Sequence, residues 1–383
     1  MGIYNNLCLP RGDSFLDAYK KTFPNQRGFG KRIYAALSSC SSVLAVAPTQ
    51  SGKTGSMLGL ACEYLKQPDV TPRHVFVFTP HSSREWVDQT RNRFPSSFRE
   101  QIIHRNRADE LIRRVRQVGT DRVLIIVDEC HIGAKVGQTL HKIYAQLRLF
   151  DNDHVWKRRI KLAHFTATPC GLDIAFREFW GERGQVCVMD VPDAYVSHEK
   201  LAQQNRVLVA RDLCGYDKDS KSVHPDALKG VAEIKPFLGA EPRYHIIRTP
   251  RGHLHRIVIE NFRKVFPNFK LISEPSLGCD INTVLEKKPN VHSFIFIKDK
   301  LRCAKTIQHK FIGVLYERVP EKPFYHVITQ SLAGRLTGFH QNKQAVVFTT
   351  NTHNYLIIKK NFWTRNSYLP TTPNLNIKIA PKI

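Results

Sequence analysis

No Cys-x-x-Cys pair occurs in this chain, although nine cysteines are scattered at 8, 40, 62, 130, 170, 187, 214, 279 and 303. That spacing argues against zinc ribbons and iron–sulfur clusters. An odd, patternless set of thiols fits a reducing compartment, so an intracellular protein, cytoplasmic or nuclear, is expected. No apolar run reaches the ~18 residues that cross a bilayer, which argues against a membrane partner. The opening MGIYNNLCLPRGDSF lacks the charged-then-apolar layout of a secretion signal, and Asn6 stands where myristoylation needs Ser or Thr. Internal repeats and long low-complexity tracts are also missing. Acidic residues are scarce: 33 against 58 Lys and Arg, a net charge of +25 over 383 residues. Such an excess attracts polyanions and points to nucleic acid held mainly through its backbone. Composition is otherwise that of a globular protein of two or three domains, with 42% hydrophobic residues.

The first motif is APTQSGKT (47–54). An apolar stretch of strand type, SSVLAVA, precedes it, and GSMLGLACEYLKQ, apolar at helical spacing, follows. Strand, loop and helix in this order make a phosphate cradle, because the loop and the positive helix end aim N–H groups at phosphate oxygens. Gly52 lets the backbone approach the phosphates, Lys53 reaches the β- and γ-phosphates, and the Thr54 hydroxyl ligates Mg²⁺. Thr49, Gln50 and Ser51 complete the ATP-binding loop. The first position is Ala47, where the common pattern has Gly.

The second motif closes the apolar strand VLIIV with Asp128-Glu129-Cys130-His131. Two carboxylates at the carboxyl end of a parallel strand suit metal-assisted hydrolysis. Asp128 would hold Mg²⁺, directly or through water, and Glu129 would orient and activate the attacking water. His131 would sense the γ-phosphate. A third strand ends in Thr166-Ala-Thr168-Pro169, whose hydroxyls can bond carboxylates and couple two sites.

APTQSGKT, DECH and TAT, in this order, resemble the motifs of superfamily 2 helicases and translocases of the DExH type. Ala47 and Thr49 fit that group's way of writing the loop, whereas Gln50 departs from its usual Gly. The resemblance implies an α/β fold of two tandem RecA-like P-loop domains, each a mostly parallel sheet flanked by helices. It also implies ATP and Mg²⁺ as cofactors. HVFVFTPHSSREWVDQT (74–90) resembles the family's strand and helix that touch nucleic-acid backbone, with Thr79 at the strand end and Trp86 and Gln89 on the helix. Gln26 stands where the family reads adenine. IFIKDKLRCAKT and QSLAGRLTGF resemble segments of helicase-like proteins of phages and large DNA viruses.

Alternating strand and helix patterns over 243–350 fit the second half of that family. QSLAGRLTGF resembles its sixth motif, which implies that Gln330 and Arg335 face ATP across a cleft. The motif's second Arg is here Gly338, so Arg335, or Lys305 or Arg302 from the neighbouring loop, would serve as the arginine finger. Its fifth motif would fall on Ala304–Thr306 as a partial match. Expected boundaries are an N-terminal extension at 1–24, the first RecA-like domain at 25–192 and a connecting hinge at 193–242. The second RecA-like domain follows at 243–364, then an extended tail at 365–383 that a protein partner would dock. Among the basic clusters, those at 248–251 and 298–305 adjoin strand ends, which makes Arg248, Lys298 and Arg302 the expected nucleic-acid contacts.

The expectation is therefore an ATPase: a helicase or translocase moving along a single-stranded segment of DNA or RNA, in an ordinary or a virus- or phage-infected cell. Rival readings are an ATP-gated clamp that hydrolyses slowly, and the motor subunit of a larger transcription, repair or replication complex. A small-molecule kinase would explain neither Thr-Ala-Thr nor the charge.

Overall fold

The computed structural model describes residues 15–81, 84–133, 136–167, 172–217, 222–273, 280–298, 301, 306–319, 331–340 and 342–350. They form two compact units, which divide between Pro192 and Asp193.

The first unit is built on six parallel strands: β1 (Ser42–Val46), β2 (Val75–Thr79), β3 (Ile102–His104), β4 (Leu124–Asp128), β5 (Lys161–Thr166) and β6 (Gly184–Val188). Their order in the sheet is β3-β2-β4-β5-β1-β6. β1, β2 and β4 are buried along their whole length, as continuous apolar runs dictate in a sheet covered on both faces. The helix Pro24–Ser39 crosses the helix Lys53–Tyr64 so closely that a Cβ on Gly30 would lie 2.6 Å from the Leu60 nitrogen. Pro24 opens the first of these helices, and the Gln26 side chain caps it by accepting the Phe23 N–H at 3.2 Å.

The second unit repeats the plan: β7 (Val207–Val209), β8 (Tyr244–Arg248), β9 (Lys270–Ser273), β10 (Ser293–Ile297), β11 (Ile312–Tyr316) and β12 (Val346–Thr349). All are parallel, in the order β7-β12-β11-β8-β10-β9. One core cluster is aromatic, with Phe262, Phe294, Phe296, Tyr316 and Phe348. Another is aliphatic, with Ile246, Ile295, Leu315 and Val347.

Two segments differ from their sequence expectation. Residues 193–242, read as a hinge, supply β7, which pairs with β12, so the second unit already includes them. Residues 324–339 have the pattern of a strand leading into a helix, but their described part, 331–339, makes only the short 3-10 turn Ala333–Leu336. Gly338 breaks it with a left-handed φ of 112° and bridges to Val196, each donating to the other's carbonyl at 3.0 and 2.9 Å. The strand expected at the start of 324–339 and the tail at 365–383 lie outside the described residues.

Candidate nucleotide site

Strand order assembles the site. β4, β5 and β1 are neighbours, so the ends carrying Asp128–Glu129, Thr166 and the loop after Val46 stand side by side at the carboxyl edge of the sheet. β2, ending in Thr79, flanks β4.

The loop after β1 turns on Pro48, whose carbonyl accepts both the Ser51 N–H (3.1 Å) and the Ser51 hydroxyl (2.7 Å). Gln50 has a φ of 60°, which explains why the related pattern prefers Gly there. Gly52, with a φ of 102°, opens the helix Lys53–Tyr64. A Cβ on Gly52 would fall 1.9 Å from the Gln26 amide nitrogen, and one on Gly55 2.0 Å from its oxygen. Gln26 is buried and lies against the phosphate loop, between its own helix cap and Gly52.

Glu129 adopts the left-handed region at φ 54°, a conformation that costs a non-glycine residue about 1–2 kcal/mol. Its carboxylate accepts from Lys53 Nζ, which also stands 3.6 Å from Asp128 Oδ1. Asp128 is held from two further sides. Its Oδ1 accepts the Glu129 N–H at 3.0 Å, and its Oδ2 accepts the Trp86 indole N–H at 2.8 Å. Burial pushes the Asp128 carboxyl above its usual range, while Lys53 pulls the other way. His131 Nδ1 lies 3.2 Å from the Thr166 hydroxyl and 3.6 Å from the second oxygen of Glu129, and so bridges the second and third motifs. Burial lowers its pKa, which suits a neutral hydrogen-bonding ring better than an imidazolium. Thr54 accepts an N–H of Arg93 at 2.9 Å.

Within the first unit the structure thus gathers Gln26, Thr49, Gln50, Ser51, Gly52, Lys53, Thr54, Asp128, Glu129, His131 and Thr166 into one place. Thr168, Gln330 and Arg302 lie outside the described residues. Arg93, which no motif singles out, also stands at the site. Trp86, on the segment read as touching nucleic acid, is buried against Asp128 instead. Thr79 is also buried, and its hydroxyl accepts the His81 N–H at 3.2 Å, so it caps a turn rather than meeting solvent.

In the second unit, Arg335 is buried in its 3-10 turn, and its carbonyl accepts from His309. Arg248, expected to meet nucleic acid, is buried as well. Its Nε stands 3.4 Å from buried Glu317, and it donates to the Ser331 hydroxyl at 2.7 Å. A strand-end Arg with an internal carboxylate partner serves the packing of its own unit. Lys298, directly after β10, is partly exposed, and Arg251 is exposed. Among the described residues no helix is long and apolar enough to cross a membrane. Cys40, Cys62, Cys130, Cys187 and Cys214 are free thiols.

No family model matches the chain. An uncharacterized protein of Acanthamoeba polyphaga mimivirus is 23% identical over 330 residues, covering 80% of this chain and 79% of the relative. Among solved structures, the DEAD-box helicase Mss116 bound to single-stranded RNA and UDP-BeF is similar at a TM-score of 0.56 and 12% identity, covering 95% of this chain and 82% of that one. A second structure of that helicase, with single-stranded RNA and AMP-PNP, gives 0.57 at 13% identity, over 94% and 78%. The DNA-bound restriction-modification enzyme LlaBIII gives 0.56 at 11%; it covers 86% of this chain, which spans only 27% of that enzyme. These likenesses establish the fold as two RecA-like domains in tandem.

Proposed function

We propose that the chain is an ATP-dependent helicase or translocase of DNA or RNA, related to the DExH type. The observation that carries this reading is the meeting of Lys53, Thr54, Asp128 and Glu129 at adjacent strand ends of a RecA-like sheet. The residues fit Mg·ATP. The loop is glycine-shaped at Gly52, where a side chain would strike Gln26. Thr54 and Asp128 supply a hydroxyl and a carboxylate, the hard oxygen donors Mg²⁺ takes in part while keeping phosphate and water for the rest. Bound there, the ion would neutralise charge on the β- and γ-phosphates.

Lys53 leaves the carboxylates for the phosphates, which frees Glu129. The Glu129 carboxylate then orients a water and accepts its proton, and the left-handed backbone fixes its direction. His131 stands between the Thr166 hydroxyl (3.2 Å) and the second oxygen of Glu129 (3.6 Å), a placement that would link hydrolysis to the third motif. Arg335 is the second domain's candidate for stabilising charge on the transferring phosphoryl group. Nucleic acid is held through phosphates by the +25 chain, with Lys298 and Arg251 as the exposed candidates. The mimivirus relative favours a virus-infected cell as the setting.

One observation favours an ATP-gated clamp, or a motor subunit completed by a partner. Gly338, where the motif's second Arg would stand, has a φ of 112°, so no arginine fits that backbone without strain.

Steady-state ATP hydrolysis by the full chain tests the reading, measured alone and with single-stranded DNA, duplex DNA or RNA at two salt concentrations. Salt-sensitive stimulation by one polymer is expected. Nucleotide binding with no stimulation by any polymer favours the clamp, and absence of nucleotide binding overturns both.

A further inference from the structure

The short segment that follows β2 touches both candidate metal ligands. From the helix Arg84–Arg91, Trp86 donates its indole N–H to Asp128 Oδ2 at 2.8 Å. Just past the helix, Arg93 donates to the Thr54 hydroxyl at 2.9 Å. Arg93 is itself braced. The Gln89 amide oxygen, oriented to satisfy both groups, accepts its two terminal N–H groups at 2.9 and 3.3 Å. The Arg93 backbone N–H closes on Thr90 at 3.0 Å, and Phe94 stacks on Phe98 with ring centres 5.1 Å apart.

The two contacts differ in kind. The indole is a neutral donor that fixes the rotation of a buried carboxylate and leaves Oδ1 toward Lys53 and the Glu129 N–H. A guanidinium on the Thr54 oxygen is a positive charge at the position a divalent cation would take. The two cations cannot share that oxygen without strong repulsion in a site screened from water. Resting on the nucleotide-site reading above, we propose that Trp86 and Arg93 are positioning residues for the metal half of the site, acting in opposite senses. Trp86 pre-orients Asp128 for Mg²⁺, and Arg93 holds the Thr54 hydroxyl until the segment 84–94 shifts and surrenders it. The segment starts at the sheet edge that carries the site, so a polyanion binding its outer face has a direct lever on Mg²⁺ entry.

The test is a Mg²⁺ titration of binding of a fluorescent ATP analogue to the full-length chain, with affinity also measured in EDTA. Arg93→Gln is expected to lower the Mg²⁺ concentration for half-maximal binding by about tenfold, because a repelling charge is removed. It also raises hydrolysis without nucleic acid and shrinks the stimulation by polymer. Gln89→Leu, which unbraces Arg93, shifts binding the same way and serves if Arg93→Gln does not fold. Trp86→Phe keeps the ring and drops the donor; it is expected to raise the Mg²⁺ requirement by about tenfold. Affinity in EDTA stays at the wild-type value in Gln89→Leu and Trp86→Phe, and falls in Arg93→Gln, whose lost charge also attracts the phosphates. Unchanged or weakened Mg²⁺ response in Arg93→Gln or, should it fail to fold, in Gln89→Leu overturns the role of Arg93. An equal loss with and without Mg²⁺ in Trp86→Phe reduces Trp86 to packing. A wild-type chain that binds no nucleotide instead defeats the underlying reading.

Discussion

Gly28 and Gly30 lie on one helix, two residues apart, and the same substitution should move stability in opposite directions. A Cβ on Gly30 would meet the Leu60 nitrogen at 2.6 Å, the Gly59 carbonyl carbon at 2.8 Å and the Ser56 oxygen at 3.0 Å. All three are backbone atoms of the crossing helix, and none can rotate away. Opening the first contact from 2.6 Å to an ordinary distance of about 3.4 Å requires the helices to part by about 0.8 Å. Overpacking of this kind costs about 1–3 kcal/mol, and alanine returns about 1 kcal/mol of helix propensity. Gly30→Ala is therefore expected to lose up to about 2 kcal/mol, a fall in Tm of up to about 6 °C for a unit of this size. Around Gly28 there is nothing within 4 Å, so Gly28→Ala keeps the propensity gain alone, and Tm rises by about 2 °C. The damage in Gly30→Ala also reaches the site, because parting these helices lifts Gln26 off Gly52 and Gly55. Thermal unfolding by circular dichroism, paired with nucleotide titration, reads both effects. Equal Tm shifts in the two variants, or an intact nucleotide affinity in a clearly destabilised Gly30→Ala, would refute the reasoning.

Glu129→Gln is expected to keep nucleotide affinity and lose at least about 100-fold in turnover, the usual scale of general-base catalysis, whereas Lys53→Ala should lose affinity itself; full turnover in the first or unchanged binding in the second removes the assigned role. His164, in the middle of β5 between the Ser42 hydroxyl at 3.2 Å and Tyr144, has its pKa pushed down to about 4 by burial. A depressed histidine stabilises the folded state above the unfolded value of about 6.5, and that contribution is lost as pH falls from there toward 4, because the unfolded chain binds the proton first. The stability of wild type minus that of His164→Gln should therefore drop by about 2 kcal/mol between pH 7 and pH 5, and parallel urea-unfolding curves at the two pH values would contradict it. Arg248→Met leaves the Glu317 carboxylate buried without its guanidinium and should cost about 3–5 kcal/mol. If the variant instead unfolds like wild type but loses polynucleotide affinity, Arg248 meets nucleic acid after all.

The long buried strands were readable because they are continuous apolar runs; SVLAV, LIIVD and SFIFI admit little else, whereas the short Ile102–His104 and the half-buried Gly184–Val188 went unread. Val207–Val209 was not readable. Three apolar residues flanked by Asn205, Arg206 and Arg211 carry too little pattern, and the strand exists because β12 offers it an edge. The candidate loop 47–54 and the Asp128–Glu129 pair stood out in the sequence because phosphate and metal chemistry would dictate residue type and spacing, and the strand order sets them side by side. Arg93 was not, and Trp86 stood out only as a nucleic-acid contact, since a hydrogen bond to a motif residue leaves no local signature. Thr79 and Arg248 were misplaced for a related reason. Hydroxyls and guanidinium groups at strand ends suit phosphate contacts and internal caps equally, and only the partners His81 and Glu317 decide between them.

The position of β1 also bears on how the chain is made. β1 is among the earliest segments of its sheet to be synthesised, yet its two partners, β5 and β6, begin only at Lys161 and Gly184. At ribosomal rates of about 5–20 residues per second, SVLAV waits roughly ten seconds with both of its edges unsatisfied. A nascent chain of this kind exposes an apolar, edge-competent strand throughout that interval, which is the hazard holdase chaperones exist to cover. The loop 47–54 rides on that same strand, so the candidate site of Lys53, Asp128 and Glu129 cannot assemble in a partial product of translation until β5 has slotted between β1 and β4.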